Sequence, residues 1–578
     1  MGCKNILLIT SDQQHYNTIG INNPEIETPN LDRLASQGML FSRAYCPNPT
    51  CTPTRASLIT GLYPSQHGAW TLGTKLPECV PTIGDYLNKE GYETALIGKA
   101  HFQPINSAEE YPSLESEPLL QDLDFWKDFH GPFYGFNHIE LARNHTNEFL
   151  VGQHYALWME EKGCKNWRDY FTAPTGTMDP AQKYHWDLPE EYHYDAWIAE
   201  RSCAMLDQYK KDGKPFFLWS SFFDPHPDYL APSPWDTMYQ GRKLTLPSVV
   251  PGEHENSPRQ HQLTQQEHPD FSSYKESGYL MHGMHSHVSP DRNPRRDMEV
   301  YYGMISLMNK YIGKILDHLD ALGLTEDTLV VFTTDHGNLF GQHGLYAKGP
   351  FLYEDLLRVP LIARCPGMIA PGTTTDSLQS LVDIAPTFLD CLGLPIPYHM
   401  TGISEKPVWD GSVDTLRSCI LAEHHHEPTT IQERAYVDSR YKLVVYQEDG
   451  TVKYYADSQE WHDFLARMHS WYKKGYMGTD FGTIGNAQIR KLYSAGTVGC
   501  LVVPIGNAYS DSKASGTPIA KTPFQSYSED AKIHVYNLGV NVNNGYCTVV
   551  TTACDEKLLP IVCQFLNYTY TDEGSVFA

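Results

Sequence analysis

The chain has 578 residues, of which 41% are hydrophobic and 12% are aromatic. This length and composition allow a large core and exclude a wholly disordered protein. The formal net charge of −25 argues against a nucleic-acid partner, because no basic stripe offsets the repulsion from phosphates. The 13 cysteines show no CxxC pair and no regular spacing, so they indicate neither a zinc site nor a disulfide framework.

The N-terminal segment predicts a first strand rather than a targeting signal. Its apolar run is too short for a signal peptide and soon reaches Asp12. Gly2 invites a myristoylation signal, but a buried strand fits the following residues better. No stretch approaches about 20 uninterrupted apolar residues, so no membrane span is expected. We therefore expect a soluble, cytoplasmic protein with mostly reduced thiols and leave its oligomeric state open.

Short apolar runs alternate with helical patterns along the first part of the chain. Runs that predict buried parallel strands occupy residues 5–10, 94–97, 215–222 and 329–333. A helix is predicted over 296–322, where apolar residues recur at helical spacing. This alternation predicts an α/β fold with a large, mostly parallel or mixed sheet sandwiched by helices.

The sequence divides into three predicted regions. Residues 1–395 form the α/β domain, with insertions at about 103–195 and 250–295. Aromatic side chains in the first insertion suit either stacking on sugar rings or packing of the insertion itself. Residues 396–449 begin a small, incomplete antiparallel subdomain. Composition changes near residue 450, and the tail 450–578 contains predicted helices over 458–475 and 555–570.

Polar residues follow four of the predicted strands where each strand ends. In an open α/β sheet, ligands bind outside the carboxyl ends of the strands. The four endings are Asp12-Gln13, Lys99-Ala100-His101, Asp224-Pro225-His226 and Asp335-His336. Together they predict one site for an anion and a metal. The mostly oxygen donors of Asp12, Gln13, Asp335 and His336 suit a hard divalent cation such as calcium better than zinc.

The segment from Cys51 to Gly61 carries the most specific pattern, Cys-Thr-Pro-Thr-Arg-Ala-Ser-Leu-Ile-Thr-Gly. A short helix is predicted over 54–60, with Gly61 as its C-terminal stop. Cys51 would then lie just before the N-terminus of this helix, where backbone N–H groups favour an anion. Arg55 lies about one turn further along and reaches back as a fixed cation.

The pattern Cys-x-Pro-x-Arg followed by Ala-Ser-Leu-x-Thr-Gly resembles the signature of the type I sulfatases, in the alkaline phosphatase superfamily. The resemblance covers about residues 1–447. It implies that a maturation enzyme oxidises Cys51 to formylglycine, the nucleophile. The implied metal is Ca²⁺, with Mn²⁺ or Mg²⁺ as alternatives, and its implied ligands are Asp12, Gln13, Asp335, His336 and the modified Cys51. The remaining implied catalytic residues are Arg55, Lys99, His101, His226 and Lys348.

The resemblance implies hydrolysis of a sulfate ester of a carbohydrate or an aryl group. One hydroxyl of the hydrated aldehyde attacks sulfur while Lys99 and Lys348 stabilise the charge. His226 or Lys348 then protonates the leaving alcohol, and His101 accepts the proton of the second hydroxyl. A phosphonate monoester or phosphodiester hydrolase of the same superfamily is one alternative. A non-catalytic chain with a sugar-binding-like tail is another.

Residues 450–578 resemble the C-terminal part of bacterial extracellular solute-binding proteins. The resemblance lies in the phrases Tyr454-Tyr455-Ala456-Asp457, Trp471-Tyr472-Lys473-Lys474-Gly475 and Tyr570-Thr571-Asp572-Glu573-Gly574-Ser575. Such a fragment lacks the second lobe that encloses a ligand, so transport is not expected. A natural fusion and an artificial joining to a neighbouring gene both explain the tail, and we favour the second.

Overall fold

The computed structural model of the chain describes residues 3–104, 107, 112–143, 150–171, 184–267, 270, 275–276, 279–280, 285–286, 293–425, 431–448, 451–455, 470 and 473. The chain divides into two units, Met1–Leu465 and Ala466–Ala578, and the helices and strands below all belong to the first. Apart from residues 470 and 473, the helices predicted over 458–475 and 555–570 lie outside the described residues.

The secondary structure of the first unit alternates between strands and helices, as predicted. The strands are β1 Asn5–Ser11, β2 Met39–Tyr45, β3 Glu93–Gly98, β4 His138–Leu141, β5 Phe216–Ser221, β6 Lys275–Glu276, β7 Tyr279–Leu280, β8 His285–Ser286, β9 Thr328–Thr334, β10 Leu339–Phe340, β11 Leu345–Ala347, β12 Arg358–Arg364, β13 Thr373–Thr375, β14 Gln379–Ser380, β15 Cys419–His425, β16 Ile431–Asp438, β17 Lys442–Glu448 and β18 Thr451–Tyr455. The helices are α1 Pro29–Ser36, α2 Cys51–Thr60, α3 Pro64–His67, α4 Ile83–Lys89, α5 Leu123–Asp128, α6 Gln153–Glu161, α7 Tyr194–Asp212, α8 Arg259–Thr264, α9 Pro294–Ala321, α10 Glu354–Leu357, α11 Ile384–Cys391 and α12 Lys406–Trp409.

The main sheet has nine strands within the described residues. Their order is β13-β2-β12-β9-β1-β5-β3-β4, and β14 also pairs with β2. Neighbouring strands are parallel except at β12, which runs antiparallel to β2 and to β9. The predicted α/β fold with a mostly parallel, mixed sheet is confirmed. The four predicted strands are β1, β3, β5 and β9.

Strand β1 shows why the apolar runs in the sequence are continuous. Successive side chains of a strand point to opposite faces of the sheet. Leu7 and Ile9 pack into the core that includes helix α9, whereas Ile6 and Leu8 pack into the core that includes helix α11. Because both faces are covered, every position of this central strand is buried, and its middle positions, residues 6–9, form a continuous apolar run.

Helix α2 begins earlier than predicted, at Cys51 instead of Thr54. Pro53 does not prevent this, because its missing N–H would have no partner inside the first helical turn. Thr50 is the N-cap with extended backbone angles. Cys51 is therefore the first residue of the helix rather than the residue before it. The helix ends as predicted at Gly61, whose φ is 66°.

Several large aromatic side chains in the described part of the segment 103–195 belong to the core. Trp126, Trp158, Trp167 and Phe133 are all buried. The packing alternative is therefore confirmed for these side chains. The same segment supplies β4, which extends the main sheet beside β3.

Strands β15 to β18 form a second, antiparallel sheet of four strands within the described residues. β18 pairs with β17 from Glu448–Thr451 to Val444–Tyr455, so this sheet continues past residue 449. The domain division at residue 449, the two insertions and the resemblance of the tail to solute-binding proteins stay predictions.

Two general expectations concern membranes and thiols. Within the part of the chain that the structure describes, no helix combines the length and the apolar character needed to cross a membrane. The predicted cytoplasmic location stays a prediction. Nine cysteines of the described residues are free thiols.

Gly98, the last residue of β3, lies unusually close to β5. A Cβ atom at Gly98 would lie 2.0 Å from the Ser221 backbone oxygen, and Gly98 has a φ of +108°. We expect Gly98→Ala to lower the free energy of unfolding by about 3 kcal/mol, because the backbone must shift. Urea denaturation followed by tryptophan fluorescence measures the change.

Gly91→Ala is the matched control for this prediction. Gly91 also has a positive φ, +83°, but a Cβ there meets no described atom within 4 Å. We expect a loss of about 1 kcal/mol from backbone strain alone. Equal losses for the two variants would contradict a role for the close approach of β3 to β5.

Candidate active site

Four adjacent parallel strands, β9, β1, β5 and β3, end at one edge of the main sheet. Seven of the ten predicted site residues follow these ends directly or within a few positions. They are Asp335 and His336 after β9, Asp12 and Gln13 after β1, His226 after β5, and Lys99 and His101 after β3. Hydrogen bonds link all of them to other predicted site residues except His101, whose partner was not predicted.

Cys51 lies at the centre of these residues and is buried. Its Sγ lies 3.2 Å from His336 Nε2 and 3.7 Å from Asp12 Oδ1. Lys348 Nζ donates a hydrogen bond to the same Sγ at 2.9 Å. As the first residue of α2, Cys51 also lies at the positive end of the helix dipole. Lys348 and the helix dipole favour an anion at this position, whereas burial and the charge of Asp12 raise the pKa of the Cys51 thiol above its ordinary value.

The ligand atoms of Asp12, Cys51, Asp335 and His336 all lie within 4.8 Å of one another, and all four residues are buried. His336 Nδ1 donates to the Gly337 carbonyl oxygen at 2.9 Å, so the lone pair of the ring is on Nε2, which lies 3.4 Å from Lys348 Nζ. Burial lowers the pKa of His336 to about 4 despite Asp335 beside it, so the ring is neutral. These four side chains fit a divalent cation.

Gln13 lies beside these four residues and carries a further side-chain oxygen. Its backbone N–H donates to Asp335 Oδ1 at 3.0 Å, and its Nε2 donates to Asn338 Oδ1 at 3.0 Å. Its Oε1 is buried and has no hydrogen-bond partner among the described residues. Because a buried oxygen without a donor is costly, this atom fits a metal ligand. Asn338, which orients the amide, was not predicted from the sequence.

Two cations compensate the carboxylates. Arg55 Nε donates to Asp335 Oδ2 at 2.8 Å, and Arg55 Nη2 lies 3.8 Å from Asp12 Oδ2. Lys99 Nζ donates to Asp12 Oδ2. Burial alone would raise the pKa of Asp12, but Lys99, Arg55 and Lys348 together hold it below its ordinary value. Burial and Asp12 oppose the charge of Asp335, but His336, Arg55 and Lys99 hold the pKa of Asp335 below its ordinary value, so both carboxylates are ionised.

Lys348 and His226 form a connected pair. Lys348 Nζ donates to His226 Nε2 at 3.2 Å, while His226 Nδ1 donates to the Pro227 carbonyl oxygen. Burial and the charge of Lys348 lower the pKa of His226 well below its ordinary value. Burial disfavours the charge on Lys348, but Cys51 and Asp12 raise its pKa above the ordinary value. Lys348 therefore carries the proton of this pair.

His101 is joined to two residues that were not predicted, Arg143 and Glu115. Arg143 Nη2 lies 2.6 Å from His101 Nε2, and Arg143 Nη1 donates to Glu115 Oε2 at 2.7 Å. All three side chains are buried. A polar residue shortly after a strand is the signal that could have indicated Arg143, which lies two positions after β4, but β4 is only four residues long.

Three residues in or beside the site adopt left-handed backbone angles although they are not glycine. Gln13 has φ 60°, His101 has φ 55°, and Ala347, next to Lys348, has φ 60°. Such a conformation is unfavourable for a residue with a side chain, and it clusters at functional sites. The surrounding contacts hold these three loops in place.

The fold is shared with known hydrolases. A crystal structure of the phosphonate monoester hydrolase of Agrobacterium radiobacter matches with a TM-score of 0.63 at 22% identity, covering 82% of this chain and 94% of that chain. This similarity shows that the two chains share the same fold.

The chain belongs to the sulfatase family, whose model, described as Sulfatase, matches residues 4–394. A second model, N-sulphoglucosamine sulphohydrolase, C-terminal, matches residues 341–475 and so extends past residue 450. The arylsulfatase of Clostridium perfringens (strain 13 / Type A) is 28% identical over 73% of this chain and 81% of its own length. The multifunctional alkaline phosphatase superfamily protein PehA of Trinickia caryophylli is 28% identical over 70% and 76%. The prediction of a sulfuric ester hydrolase is confirmed.

Cation binding at this group is testable without measuring catalysis. We expect calcium chloride to raise the Tm, because a cation that binds only the native state stabilises it by about 2.7 kcal/mol at a hundred times its Kd. Asp335→Asn should abolish the rise, as measured by differential scanning fluorimetry with and without calcium.

Asp327→Asn is the matched control. Asp327 lies just before β9, at the opposite end from Asp335, and forms an exposed ion pair with Lys4. This variant should keep the full rise in Tm. A rise of the same size in Asp335→Asn would place the cation elsewhere.

Proposed function

We propose that the protein hydrolyses a sulfate ester of a carbohydrate or an aryl group through a formylglycine derived from Cys51, with a divalent cation beside it. The observation that carries this proposal is the position of Cys51 Sγ. It lies at the start of α2, within reach of the carboxylate and imidazole ligand atoms on one side and of Lys348 Nζ on the other. Sγ marks where the oxygen atoms of the modified residue would lie.

The side chains around Cys51 suit transfer of a sulfuryl group. Lys99 and Lys348 supply positive charge for the oxygens of the sulfate, and Arg55 holds Asp335 in place. Lys348 also holds the proton that the leaving alcohol needs, since it donates to the unprotonated Nε2 of His226. An aldehyde at residue 51 allows sulfate to leave by elimination, which an unmodified thiol would not.

The proposed cation is Ca²⁺, with Mn²⁺ or Mg²⁺ as alternatives. Its ligands would be Asp12, Gln13, Asp335, His336 and the modified Cys51, whose donors are mostly oxygen. When bound, a divalent cation polarises oxygen atoms of the nucleophile and of the ester.

The proposed substrate class and partner follow from the family. The C-terminal model that matches residues 341–475 is named for an N-sulphoglucosamine sulphohydrolase, which supports a sulfated carbohydrate. Formation of formylglycine requires a maturation enzyme as a partner of the newly made chain. The phosphonate monoester or phosphodiester hydrolase is the second candidate, because the chain is similar to a relative described as multifunctional and shares its fold with a phosphonate monoester hydrolase.

The test combines peptide mass spectrometry with a comparison of esters. We expect the peptide that bears residue 51 to carry an aldehyde after co-expression with a formylglycine-generating enzyme. The matured protein should hydrolyse 4-nitrophenyl sulfate faster than a 4-nitrophenyl phosphodiester, and sulfated saccharides extend the comparison. Cys51→Ala should lower kcat by at least about 10⁴-fold, because the nucleophile is lost.

Cys46→Ser is the matched control. Cys46 is also buried, and its Sγ donates to the Leu356 carbonyl oxygen, a contact that a serine hydroxyl also makes. Its activity should stay near that of the wild type. Faster turnover of the phosphodiester would favour the second candidate. An unmodified thiol at residue 51 together with no bound metal would favour the non-catalytic alternative.

A further inference from the structure

A second group of buried acidic and imidazole side chains lies where α7 begins and β5 ends. It consists of His193, Asp195 and Asp224, and one ligand atom from each residue lies within 4.8 Å of the others. His193 is the N-cap of α7 and Asp195 is the second residue of that helix, whereas Asp224 follows β5 by three residues. All three side chains are 0% exposed. This group, the Asp195 cluster, shares no residue with the cation site proposed beside Cys51.

The Asp195 cluster contains more hydrogen-bond acceptors than donors. Both carboxylate oxygens of Asp195 and Oδ2 of Asp224 are buried and have no hydrogen-bond partner among the described residues. The Tyr194 hydroxyl donates only to the other oxygen of Asp224, Oδ1. His193 Nδ1 accepts a hydrogen bond from the Asp195 backbone N–H at 3.2 Å, so it carries no proton, and it lies 3.7 Å from Asp195 Oδ2. Buried acceptors without a donor are costly, so the cluster lacks a partner.

The two carboxylates of the cluster also lack a compensating charge. Arg55 and Lys99 supply positive charge to the carboxylates beside Cys51. In the described part of the chain, no lysine or arginine forms an ion pair with Asp195 or Asp224. Burial and the charge of Asp224 raise the pKa of Asp195 well above its ordinary value, and burial raises the pKa of Asp224 to about 7. The cluster therefore needs positive charge from another source.

A shared proton and a bound cation are the two ways to supply this charge. A proton between the carboxylates engages two oxygen atoms, but three oxygen atoms of Asp195 and Asp224 are without a partner. A metal cation accepts lone pairs from all of them and from His193 Nδ1 at once. Asp195 also lies in the first turn of α7, where the helix dipole favours an ionised carboxylate. Both observations favour a cation over a shared proton.

We propose that the Asp195 cluster binds a second divalent cation, Zn²⁺, through the carboxylates of Asp195 and Asp224 and through Nδ1 of His193. Carboxylate oxygens and imidazole nitrogens are both zinc ligands, and zinc needs only about four ligands in all. Calcium takes about six to eight oxygen ligands, which this donor set does not supply. The effect of calcium on the Tm, predicted above for the site beside Cys51, is therefore separate from zinc binding here.

The zinc ion would connect the start of α7 to the loop that carries His226. Asp224 lies two residues before His226, and its carbonyl oxygen accepts a hydrogen bond from the Asp12 backbone N–H at 3.2 Å. A cation held by both Asp195 and Asp224 fixes the backbone at this contact. The role of the second ion is therefore structural, and its binding does not depend on the reaction proposed at Cys51.

The number of zinc ions per chain tests the proposal without any assay of catalysis. Each full-length variant is dialysed against a chelator, incubated with zinc chloride and desalted, and its zinc is measured by inductively coupled plasma mass spectrometry. We expect Asp195→Asn to hold one zinc ion fewer than the wild type, because the neutral amide is a poor ligand. Asp335→Asn carrying Asp195→Asn should likewise hold one ion fewer than Asp335→Asn alone. This second difference separates the cluster from the site beside Cys51.

Asp236→Asn is the matched control for the metal count. Asp236 is also buried and lies beside a histidine, with its Oδ2 3.0 Å from His185 Nδ1, but it is outside the cluster. This variant should hold as much zinc as the wild type. A Tm measurement shows that each variant folds, and Asp224→Asn replaces Asp195→Asn if the latter does not. Equal zinc in the wild type and a folded cluster variant would overturn the proposal in favour of a shared proton.

Crystals grown with zinc chloride locate the ion directly. We expect an anomalous difference peak between the carboxylates of Asp195 and Asp224 in data collected above the zinc absorption edge, and its loss below the edge. No peak at this position would overturn the proposal. If the matured protein hydrolyses no sulfate ester, the proposed function fails, whereas the zinc count and the anomalous map still decide whether the cluster binds a cation.

Discussion

Two carboxylates and three cations buried at one edge of the sheet are the constraint on which the rest of the structure depends. Asp12, Asp335, Arg55, Lys99 and Lys348 have lost nearly all contact with solvent. A buried charge is costly unless opposite charge lies beside it. The required pairing is possible because β9, β1, β5 and β3 are neighbours that run in the same direction, so their carboxyl ends meet. The order of the strands is therefore what allows these buried charges to lie next to one another.

This constraint explains why so much of the site could be predicted from local sequence. A strand buried on both faces is a continuous apolar run, and the polar residues after it stand out, as Asp12 does after β1. Cys51, Pro53 and Arg55 lie within five positions, so their pattern was also visible. The start of α2 could not be predicted from this pattern, because a proline is accepted at several positions of the first helical turn and does not mark one boundary. Cys51 therefore lies inside the helix and closer to its dipole than predicted.

Contacts between segments that are far apart in sequence could not be predicted from local sequence patterns. Arg143 lies 42 residues from His101 and 28 residues from Glu115 in sequence, and nothing in their spacing links them. β4 has four residues and lies in an aromatic-rich segment, so its end was not recognised as a strand end. Only the pairing of β4 with β3 brings Arg143 to His101. Asn338 was missed for a similar reason, since its role depends on the amide orientation of Gln13.

The charge of the site is opposite in sign to that of the chain. The sequence has a formal charge of −25, whereas cations outnumber carboxylates in the buried group around Cys51. At physiological ionic strength the Debye length is about 8 Å, so surface charges act mainly on groups that come close to them. The five buried charges of the site lie within a few ångströms of one another, so their mutual pairing is much stronger than the effect of distant surface charges. The acidic net charge of the chain therefore does not determine which ions the buried group accepts.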